Sequence, residues 1–362
     1  MSTILVKNLK KYYENVKAVD GINLEAKNGE FVVLLGPSGC GKTTTLRCIA
    51  GLEIPSEGSI FFDEKEVTRL TPSDRNVGMV FQFYALYPHL RVRDNITFPL
   101  RAQRVPLPKI QKKLQEVVQI FQLENLLKRK ARDLPPGDQQ RVALARAVIR
   151  EPNVLLLDEP LSALDEKFRE EMRSGLGSLQ KRIGITTIYV THDQREAMAL
   201  GDVIVVMKEG SIIQHGTPEE LYEHPRTVFV GHFLGTPGMN FSNCSFYDHR
   251  LSIEGTNYSL PLQNEGLLSA LQGYFGKELI LGIRPEYVKI TEKSDEDGYL
   301  TVKVLVIEPA GRFRLVDFML GEKIFRTRIG WDLSIGTGQD IQVKFMEEKI
   351  CIFDRKTEIA LR

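Results

Sequence analysis

Apolar residues occur in short runs at several places in the first part of the chain. Phe31 to Leu35 are all apolar, and Asn153 to Leu157 and Thr186 to Val190 are rich in apolar or β-branched residues. Such runs are typical of strands buried on both faces of a parallel sheet. Each run ends at polar or glycine-rich residues. The pattern therefore predicts an α/β domain whose chemistry lies at the ends of its strands.

Other stretches predict the remaining elements of this domain. Ile110, Leu114, Val117 and Phe121 form one apolar stripe at helical spacing, and Pro108 suits the first turn of that helix. A second helix is predicted over about residues 139–150. Shorter strands, including one hairpin, are predicted at Thr3–Val6, Gly21–Glu25, Ser59–Phe62, Val77–Val80, Asp202–Met207 and Ser211–Gln214.

The pattern changes after about residue 240. Apolar and polar residues alternate over Gly298–Ile307, Lys323–Ile329 and Asp340–Ile352, which predicts strands. Short strands at close spacing indicate a small β-barrel of the oligosaccharide-binding (OB) type. Residues 235–240 read as a linker. We therefore predict two domains, 1–238 and 239–362, with a helical subdomain at about 88–152 in the first.

Composition narrows the class of protein. The chain has 362 residues, of which 42% are hydrophobic and 26% charged, and its net charge of +1 gives no indication of nucleic-acid binding. Its four cysteines lack paired spacing, so neither a zinc site nor a disulfide framework is expected, and a reducing compartment is the simplest one. We find no signal-peptide core and no apolar run near the ~18 residues of a spanning helix. A role at a membrane would therefore require docking onto another chain.

The residues from Gly36 to Thr43 read G-P-S-G-C-G-K-T and follow a buried strand directly. Lys42 to Ala50 then predict a helix that ends at Gly51. Strand, glycine-rich turn and helix form the context of a phosphate-binding loop, because glycines let backbone N–H groups converge at a helix N-terminus. Lys42 can reach the β and γ phosphates, and Thr43 offers a hydroxyl to Mg²⁺. The sequence predicts a nucleoside triphosphate site.

Three further strand ends carry side chains suited to that chemistry. Gln82 follows the strand Val77–Val80 and can ligate Mg²⁺ or orient water, although a glutamine in a surface loop gives the same pattern. Asp158 is suited to holding the water shell of Mg²⁺ and Glu159 to polarising the attacking water, unless the two merely cap the next helix. His192 either contacts the γ-phosphate or is structural.

Taken together and in this order, these motifs resemble the ATP-binding cassette (ABC) family over residues 3 to about 235. The resemblance implies a P-loop ATPase with a RecA-like core and a helical subdomain. It also implies that two cassettes close head to tail around two ATP molecules. Thr43, Gln82 and Asp158 would serve Mg²⁺. Glu159 would be the catalytic base, assisted by Gln82, and His192 would sense the γ-phosphate. Contacts to ATP are implied for Tyr13, Gly36, Pro37, Ser38, Gly39, Cys40, Gly41, Lys42, Thr43, Thr44, Gln82, Gly137 and Asp165.

Aromatic residues leave two interpretations open. Tyr13 lies in Lys10–Tyr13, between two predicted strands, and its ring either stacks on adenine, as the family implies, or caps the edge of the sheet. In the family, residues 83–88 (F-Y-A-L-Y-P) would help form the socket for a permease's coupling helix. Packing in the core is the alternative for that segment.

The C-terminal segment carries a second resemblance. Gly282–Glu286 and Glu308–Arg312 are similar to the regulatory (TOBE) domain of sugar importers. This resemblance implies a second ATPase subunit in a homodimer, transmembrane permease subunits and, indirectly, a solute-binding protein as partners. It implies a location at the cytoplasmic face of the membrane. No nucleic-acid partner is expected, since the segment has no basic stripe with interleaved aromatic residues.

One motif departs from the family's pattern. Where the family has Leu-Ser-Gly-Gly-Gln, residues 134–138 read L-P-P-G-D. In the family, the serine hydroxyl and the glycine N–H groups donate to the γ-phosphate held by the other cassette. Pro135 has no hydroxyl, neither proline has an N–H, and Asp138 adds a negative charge. We hypothesise that ATP binds while closure and turnover are strongly impaired.

The leading interpretation is an ATP-hydrolysing subunit that drives uptake of a sugar-type solute through a separate permease. The second is a regulatory subunit that binds ATP and hydrolyses it poorly because of the altered signature. The third, a soluble ABC ATPase acting on DNA or ribosomes, is disfavoured by the neutral net charge and the β-rich C-terminal segment. Ala163, where the family commonly has asparagine, is a milder departure.

Overall fold

The computed structural model describes residues 2–162, 164–291 and 299–361. Ala163 and Gly298, which belong to the stretches singled out above, lie outside the described residues. The chain divides into two compact units, Met1–Pro218 and Glu219–Arg362. The division comes before the predicted boundary at 238, and the predicted linker at 235–240 lies within the second unit. Asn240 already begins a strand of that unit.

The first unit contains a predominantly parallel sheet with the order β10-β9-β3-β8-β7-β6. In the described residues, the hairpin of β9 and β10 is the one antiparallel pair of this sheet. The apolar runs of the sequence become its interior strands, so the α/β prediction is confirmed. The strands are β3 (Phe31–Leu35), β6 (Val77–Val80), β7 (Val154–Asp158), β8 (Thr186–Thr191), β9 (Val203–Lys208) and β10 (Ser211–Gly216).

A second, antiparallel sheet of this unit has the order β2-β1-β4-β5. Its first strand corrects the prediction for Lys10–Tyr13. That segment is the end of β1 rather than a connection between strands, because β1 pairs with β2 as far as Tyr13 through a ladder with several register shifts. The strands are β1 (Ile4–Tyr13), β2 (Val16–Ala26), β4 (Glu57–Phe62) and β5 (Lys65–Glu66).

Helices follow most strands of the parallel sheet along the chain. α1 has the predicted bounds and ends at Gly51, which has a φ of 79°. α5 begins at Pro136 rather than at about residue 139, because a proline's fixed φ suits the first helical position. The helices of the first unit are α1 (Lys42–Ala50), α2 (Pro72–Arg75), α3 (Val92–Ala102), α4 (Leu107–Phe121), α5 (Pro136–Val148), α6 (Glu166–Ile183) and α7 (Gln194–Leu200). Two helices lie at and after the division between the units, α8 (Pro218–Glu223) and α9 (Val228–Phe233).

The second unit is largely β-structure, as predicted. Its sheets have the orders β13-β12-β11-β14-β20 and β15-β19-β16-β17-β18, and apolar residues of both contribute to one core. The predicted strand Asp340–Ile352 is two strands, because the polar turn Glu347–Lys349 interrupts it. The elements are β11 (Asn240–Tyr247), β12 (Arg250–Ile253), β13 (Ser259–Pro261), α10 (Glu265–Leu271), β14 (Glu278–Ile283), β15 (Val288–Thr291), β16 (Leu300–Ala310), β17 (Phe313–Leu320), β18 (Lys323–Ile329), β19 (Asp340–Phe345) and β20 (Cys351–Asp354).

Candidate active site

The glycine-rich loop joins β3 to α1 and depends on its glycines. Gly39 and Gly41 have φ values of 79° and 100°, which other residues rarely adopt. A Cβ at Gly36 would lie 2.3 Å from the carbonyl oxygen of Met207, and one at Gly41 would lie 2.3 Å from that of Ala18. The backbone of the loop therefore packs too closely against its neighbours for side chains at these two positions.

Lys42 is the first residue of α1 and is 5% exposed. Its ammonium donates hydrogen bonds to the carbonyl oxygens of Gly36 and Pro37, both at 2.8 Å. The cation is thus held at the centre of the loop's own turn. Ser38 is exposed and Thr44 half-buried, beside this centre in the chain.

Cys40 is the buried thiol of the loop. It is 4% exposed, and its Sγ lies 3.7 Å from the ammonium of Lys42. Burial raises the pKa of the Cys40 thiol, and the nearby Lys42 charge only partly opposes that shift. The thiol is therefore a poor nucleophile at neutral pH.

Two side chains with oxygen atoms, Thr43 and Asp158, meet where β7 ends. The hydroxyl of Thr43 donates to Oδ1 of Asp158 at 3.0 Å, and Asp158 is 7% exposed. Burial raises the pKa of the Asp158 carboxyl, while the hydrogen bond from Thr43 acts in the opposite direction. A buried carboxylate beside a hydroxyl is the kind of hard-oxygen donor set that Mg²⁺ accepts.

Glu159 and His192 form a pair across neighbouring strand ends. Nδ1 of His192 lies 3.2 Å from Oε2 of Glu159. Glu159 has a φ of 44°, and its backbone N–H donates to the carbonyl oxygen of Val190 at 3.0 Å. This bond joins the end of β7 to β8, so the sheet brings the side chains of Glu159 and His192 together.

The register of the parallel sheet explains why these residues meet. Leu35 pairs with Thr191, Asp158 with Val190, and Val80 with Leu157. The carboxyl ends of β3, β8, β7 and β6 therefore lie at one edge, where ligands bind in open α/β sheets. Gln82 follows β6 at this edge and is exposed.

Asp165 has a structural use. It is the N-cap residue of α6, and its Oδ1 accepts a hydrogen bond from the backbone N–H of Phe168 at 3.1 Å. Such a cap typically contributes ~1 kcal/mol to helix stability. Contact with ATP stays a prediction for Asp165.

Tyr13 lies at the end of β1 with 41% of its surface exposed. The ammonium of Lys11 lies 4.9 Å from the centre of its ring, and Lys11 pairs with Glu53 at 3.1 Å. Burial raises the pKa of the Tyr13 hydroxyl. The ring is thus not a core residue, and its stacking on adenine stays a prediction.

The altered signature lies at the start of α5. Pro135 is the N-cap residue and Pro136 the first helical residue, so Gly137 carries the first backbone N–H of the helix. The carboxylate of Asp138 pairs with the guanidinium of Arg141, and these side chains are 18% and 31% exposed. Asp138 is therefore a paired charge, whereas its charge was predicted without a partner, and Arg141 was missed. Their spacing of three residues on one helix was the signal that would have found the pair.

Residues 83–88 were interpreted either as part of a socket for a permease or as core residues, and the structure contains both exposed and buried rings in this segment. Phe83 is 79% exposed, whereas Tyr84 is 5% exposed and belongs to the core. The guanidinium of Arg146 donates to the carbonyl oxygens of Tyr84 and Ala85 at 2.8 and 2.7 Å. Arg146, which the sequence analysis did not single out, thus connects this segment to α5.

The described residues were examined for membrane-spanning helices and for clusters of metal-ligating side chains. No helix in residues 2–162, 164–291 and 299–361 is long and apolar enough to cross a membrane. The same ranges contain no group of three or more His, Cys, Asp or Glu residues that could hold a metal ion.

Known proteins with similar sequences were compared next. The oligosaccharides import ATP-binding protein MsmX of Bacillus subtilis is 43% identical to this chain over 368 residues, covering all of both chains. The chain belongs to the ABC transporter family. Residues 19–162 match that family itself, and residues 235–288 match the MalK OB fold domain. The predicted family and fold class are therefore confirmed, and ATP and the ATPase class follow from the family.

Two further comparisons add detail on this family. The trehalose/maltose import ATP-binding protein MalK of Thermococcus litoralis is 44% identical over 379 residues, again covering all of both chains. A dimeric structure of a post-hydrolysis state of the ATP-binding cassette MJ0796, bound to ADP and Pi, is similar with a TM-score of 0.52 and 33% identity. It covers 59% of this chain and 98% of that chain.

Proposed function

We propose that the chain is the ATP-hydrolysing subunit of an importer for a sugar-type solute. The observation that carries this proposal is the meeting of Thr43 with Asp158 and of Glu159 with His192 at the strand edge that holds the phosphate loop. The relatives MsmX and MalK are import proteins by name, for oligosaccharides and for trehalose and maltose. They favour this function over a regulatory subunit or a soluble ABC ATPase.

The proposed reaction is hydrolysis of ATP to ADP and phosphate. The backbone N–H groups from Gly36 to Thr43 and the ammonium of Lys42 bind the phosphates, which replace the carbonyl partners of Lys42. Glu159 takes the proton of the attacking water, whose oxygen bonds to the γ-phosphorus as the bond to the bridging oxygen breaks. His192 holds the Glu159 carboxylate and reaches the γ-phosphate. Gln82 helps to orient the water.

Mg²⁺ fits the donor set of this site. The Thr43 hydroxyl, the Asp158 carboxylate and the Gln82 amide oxygen would hold it together with phosphate oxygens. When bound, the ion supplies charge neutralisation on the phosphates. The Thr43–Asp158 hydrogen bond fixes two of the three donors at one point.

The proposed partners follow from the site and the relatives. A second copy of the chain would bring its Gly137 to the γ-phosphate, as head-to-tail closure requires. The exposed ring of Phe83, beside the core residue Tyr84, would contact a permease at the cytoplasmic face of the membrane. A separate solute-binding protein would deliver the solute. We assign the ATPase function to residues 1–238 and a regulatory function to residues 239–362.

The experiment is steady-state ATP hydrolysis by purified protein, with Glu159→Gln as the test variant. Loss of the general base lowers the rate by at least about a hundredfold, while ATP binding persists. Glu166→Gln is the matched control, because this carboxylate is 62% exposed and, in the described residues, pairs only with Arg169 and Arg195. Wild-type turnover by Glu159→Gln would contradict the proposed mechanism. Co-purification of a permease with the full chain tests the importer assignment.

A further inference from the structure

Arg75 is a buried arginine that the proposed reaction does not use. It ends α2 and is 1% exposed. Its Nε donates to the carbonyl oxygen of Leu70 at 2.9 Å, and its Nη2 donates to that of Thr68 at 2.9 Å. No ion pair joins it to a carboxylate within the part of the chain that the structure describes. Arginine keeps its charge in proteins, so a full positive charge is buried here among backbone carbonyls.

The hydrogen bonds of the third guanidinium nitrogen, Nη1, show that the Arg75 charge offsets the partial negative charge at the C-terminal end of α1. Nη1 donates to the carbonyl oxygens of Cys48 and Ile49, at 2.7 and 2.8 Å. These carbonyls belong to the last turn of α1, which carries the negative end of the helix dipole, and the Cys48 carbonyl also accepts from the backbone N–H of Gly51 at 3.1 Å. The guanidinium therefore caps the C-terminus of the helix whose N-terminus adjoins the phosphate loop.

Gly51 fixes the position of this cap. A Cβ there would lie 2.7 Å from Nε of Arg75 and 2.7 Å from the carbonyl oxygen of Leu70. The guanidinium thus packs directly against the backbone where α1 ends, and it has little room to move away. Burial lowers the pKa of the Arg75 guanidinium, which is the cost that the four carbonyl bonds offset.

We infer that Arg75 is a positioning residue for nucleotide binding, because its charge at the C-terminal end of α1 favours anionic phosphate at the N-terminal end. The inference rests on the proposed nucleotide site. α1 has nine residues, so at a rise of about 1.5 Å per residue its ends are about 13 Å apart. With an effective dielectric constant of about 20, a unit charge at each end changes a binding constant by about five- to tenfold.

The loss of affinity that follows removal of the Arg75 charge should therefore depend on the charge of the ligand. Each added phosphate brings more negative charge to the loop, so loss of the Arg75 charge weakens ATP binding more than AMP binding. A purely structural role predicts a different result. A distorted loop loses affinity for every nucleotide that contacts it, in parallel with lost stability.

The test is calorimetric titration of the full-length protein with ATP, ADP and AMP in the presence of a chelator. The variant is Arg75→Gln, which keeps hydrogen-bonding groups and removes the charge. We expect ATP affinity to fall by more than about tenfold, because ATP carries more than one unit charge, and the ATP-to-AMP affinity ratio to fall at least about fivefold. An unchanged ratio, with all three affinities lowered equally or not at all, overturns the inference. A wild-type protein that does not bind ATP refutes the proposed function instead.

Arg284 provides the matched control. It is also 1% exposed, it belongs to the second unit, and it also donates to backbone carbonyls, those of Tyr222 and Leu234. Arg284→Gln removes an equally buried charge and should lower stability without changing the ratio. If Arg75→Gln does not fold, the same titration is carried out with Arg75→Lys, and its ATP-to-AMP affinity ratio decides the test. This variant keeps the charge, so a ratio within about twofold of wild type supports the inference and a lost ratio overturns it.

Discussion

Rebuilding the altered signature should accelerate ATP hydrolysis. The change is Pro135→Ser, Pro136→Gly and Asp138→Gln, which restores the family's sequence at the start of α5. It supplies the hydroxyl and backbone N–H groups that the prolines lack, at the position where the γ-phosphate of a second copy is proposed to dock. Gly137 already provides one donor.

The magnitude follows from the missing donors. A hydrogen bond to a charged group contributes about 1.5–3 kcal/mol. Two of them correspond to about two to four orders of magnitude in the closure equilibrium if the contributions add. Asp138 contributes little to the defect, because Arg141 already pairs with its carboxylate. We therefore expect Asp138→Gln alone to change the rate by less than about threefold, since an ion pair three residues apart on a helix contributes only about 0.2–0.5 kcal/mol.

The assay is steady-state ATPase activity at saturating ATP, with the rate followed against protein concentration to report dimerisation. Pro106→Ser is the matched control, because Pro106 is the N-cap residue of α4 as Pro135 is of α5. It gains the same helix-capping hydroxyl far from the signature in sequence. No gain in the triple variant, or a full gain from Asp138→Gln alone, would refute this reasoning.

Three further predictions concern ionisable side chains. Arg141→Gln should lower the ATPase rate roughly tenfold, because it leaves the Asp138 charge unpaired near the docking phosphate, and Asp138→Asn in the same chain should restore the rate. The raised pKa of Asp158 means that the folded protein holds this proton more tightly than the unfolded chain, so stability falls as pH rises from the ordinary aspartate range through the raised value. Asp158→Asn should therefore raise the thermal midpoint at pH 7 by ~1–3 °C in the absence of nucleotide, and a lower midpoint would contradict the sign. Maleimide should label the half-buried Cys351 before Cys40, whose raised pKa means that its labelling should accelerate only above the pH range in which an ordinary thiol ionises, and this labelling should block ATP binding. Labelled Cys40 with unchanged nucleotide affinity would exclude that effect.

The sequence was sufficient to predict the strand and the helix that flank the phosphate loop. The apolar run Phe31–Leu35 and the glycines after it specify a buried strand and a tight turn, and the helix that follows has the predicted bounds. Local pattern succeeds here because few other structures accommodate these residues. The break at Glu347–Lys349 is different, because alternation continues through a polar turn that only the pairing of strands reveals.

Contacts between residues far apart in the chain could not be predicted from the sequence alone. Arg75 binds carbonyl oxygens of Cys48 and Ile49, more than two dozen residues away, and backbone carbonyls leave no mark in the sequence of side chains. The Asp158–Thr43 bond was inferable only because both residues lie in known motifs. Tyr13 was misassigned to a connection because the irregular ladder of β1 and β2 obscures the alternation of a strand.

The most direct test of the central claim is a crystal structure of Glu159→Gln with ATP and Mg²⁺. The account predicts phosphates bound by the backbone from Gly36 to Thr43, and Lys42 turned from the carbonyl oxygens of Gly36 and Pro37 to the ligand. A second copy should face the γ-phosphate. A structure in which Lys42 keeps its two carbonyl partners and ATP binds elsewhere would contradict the account.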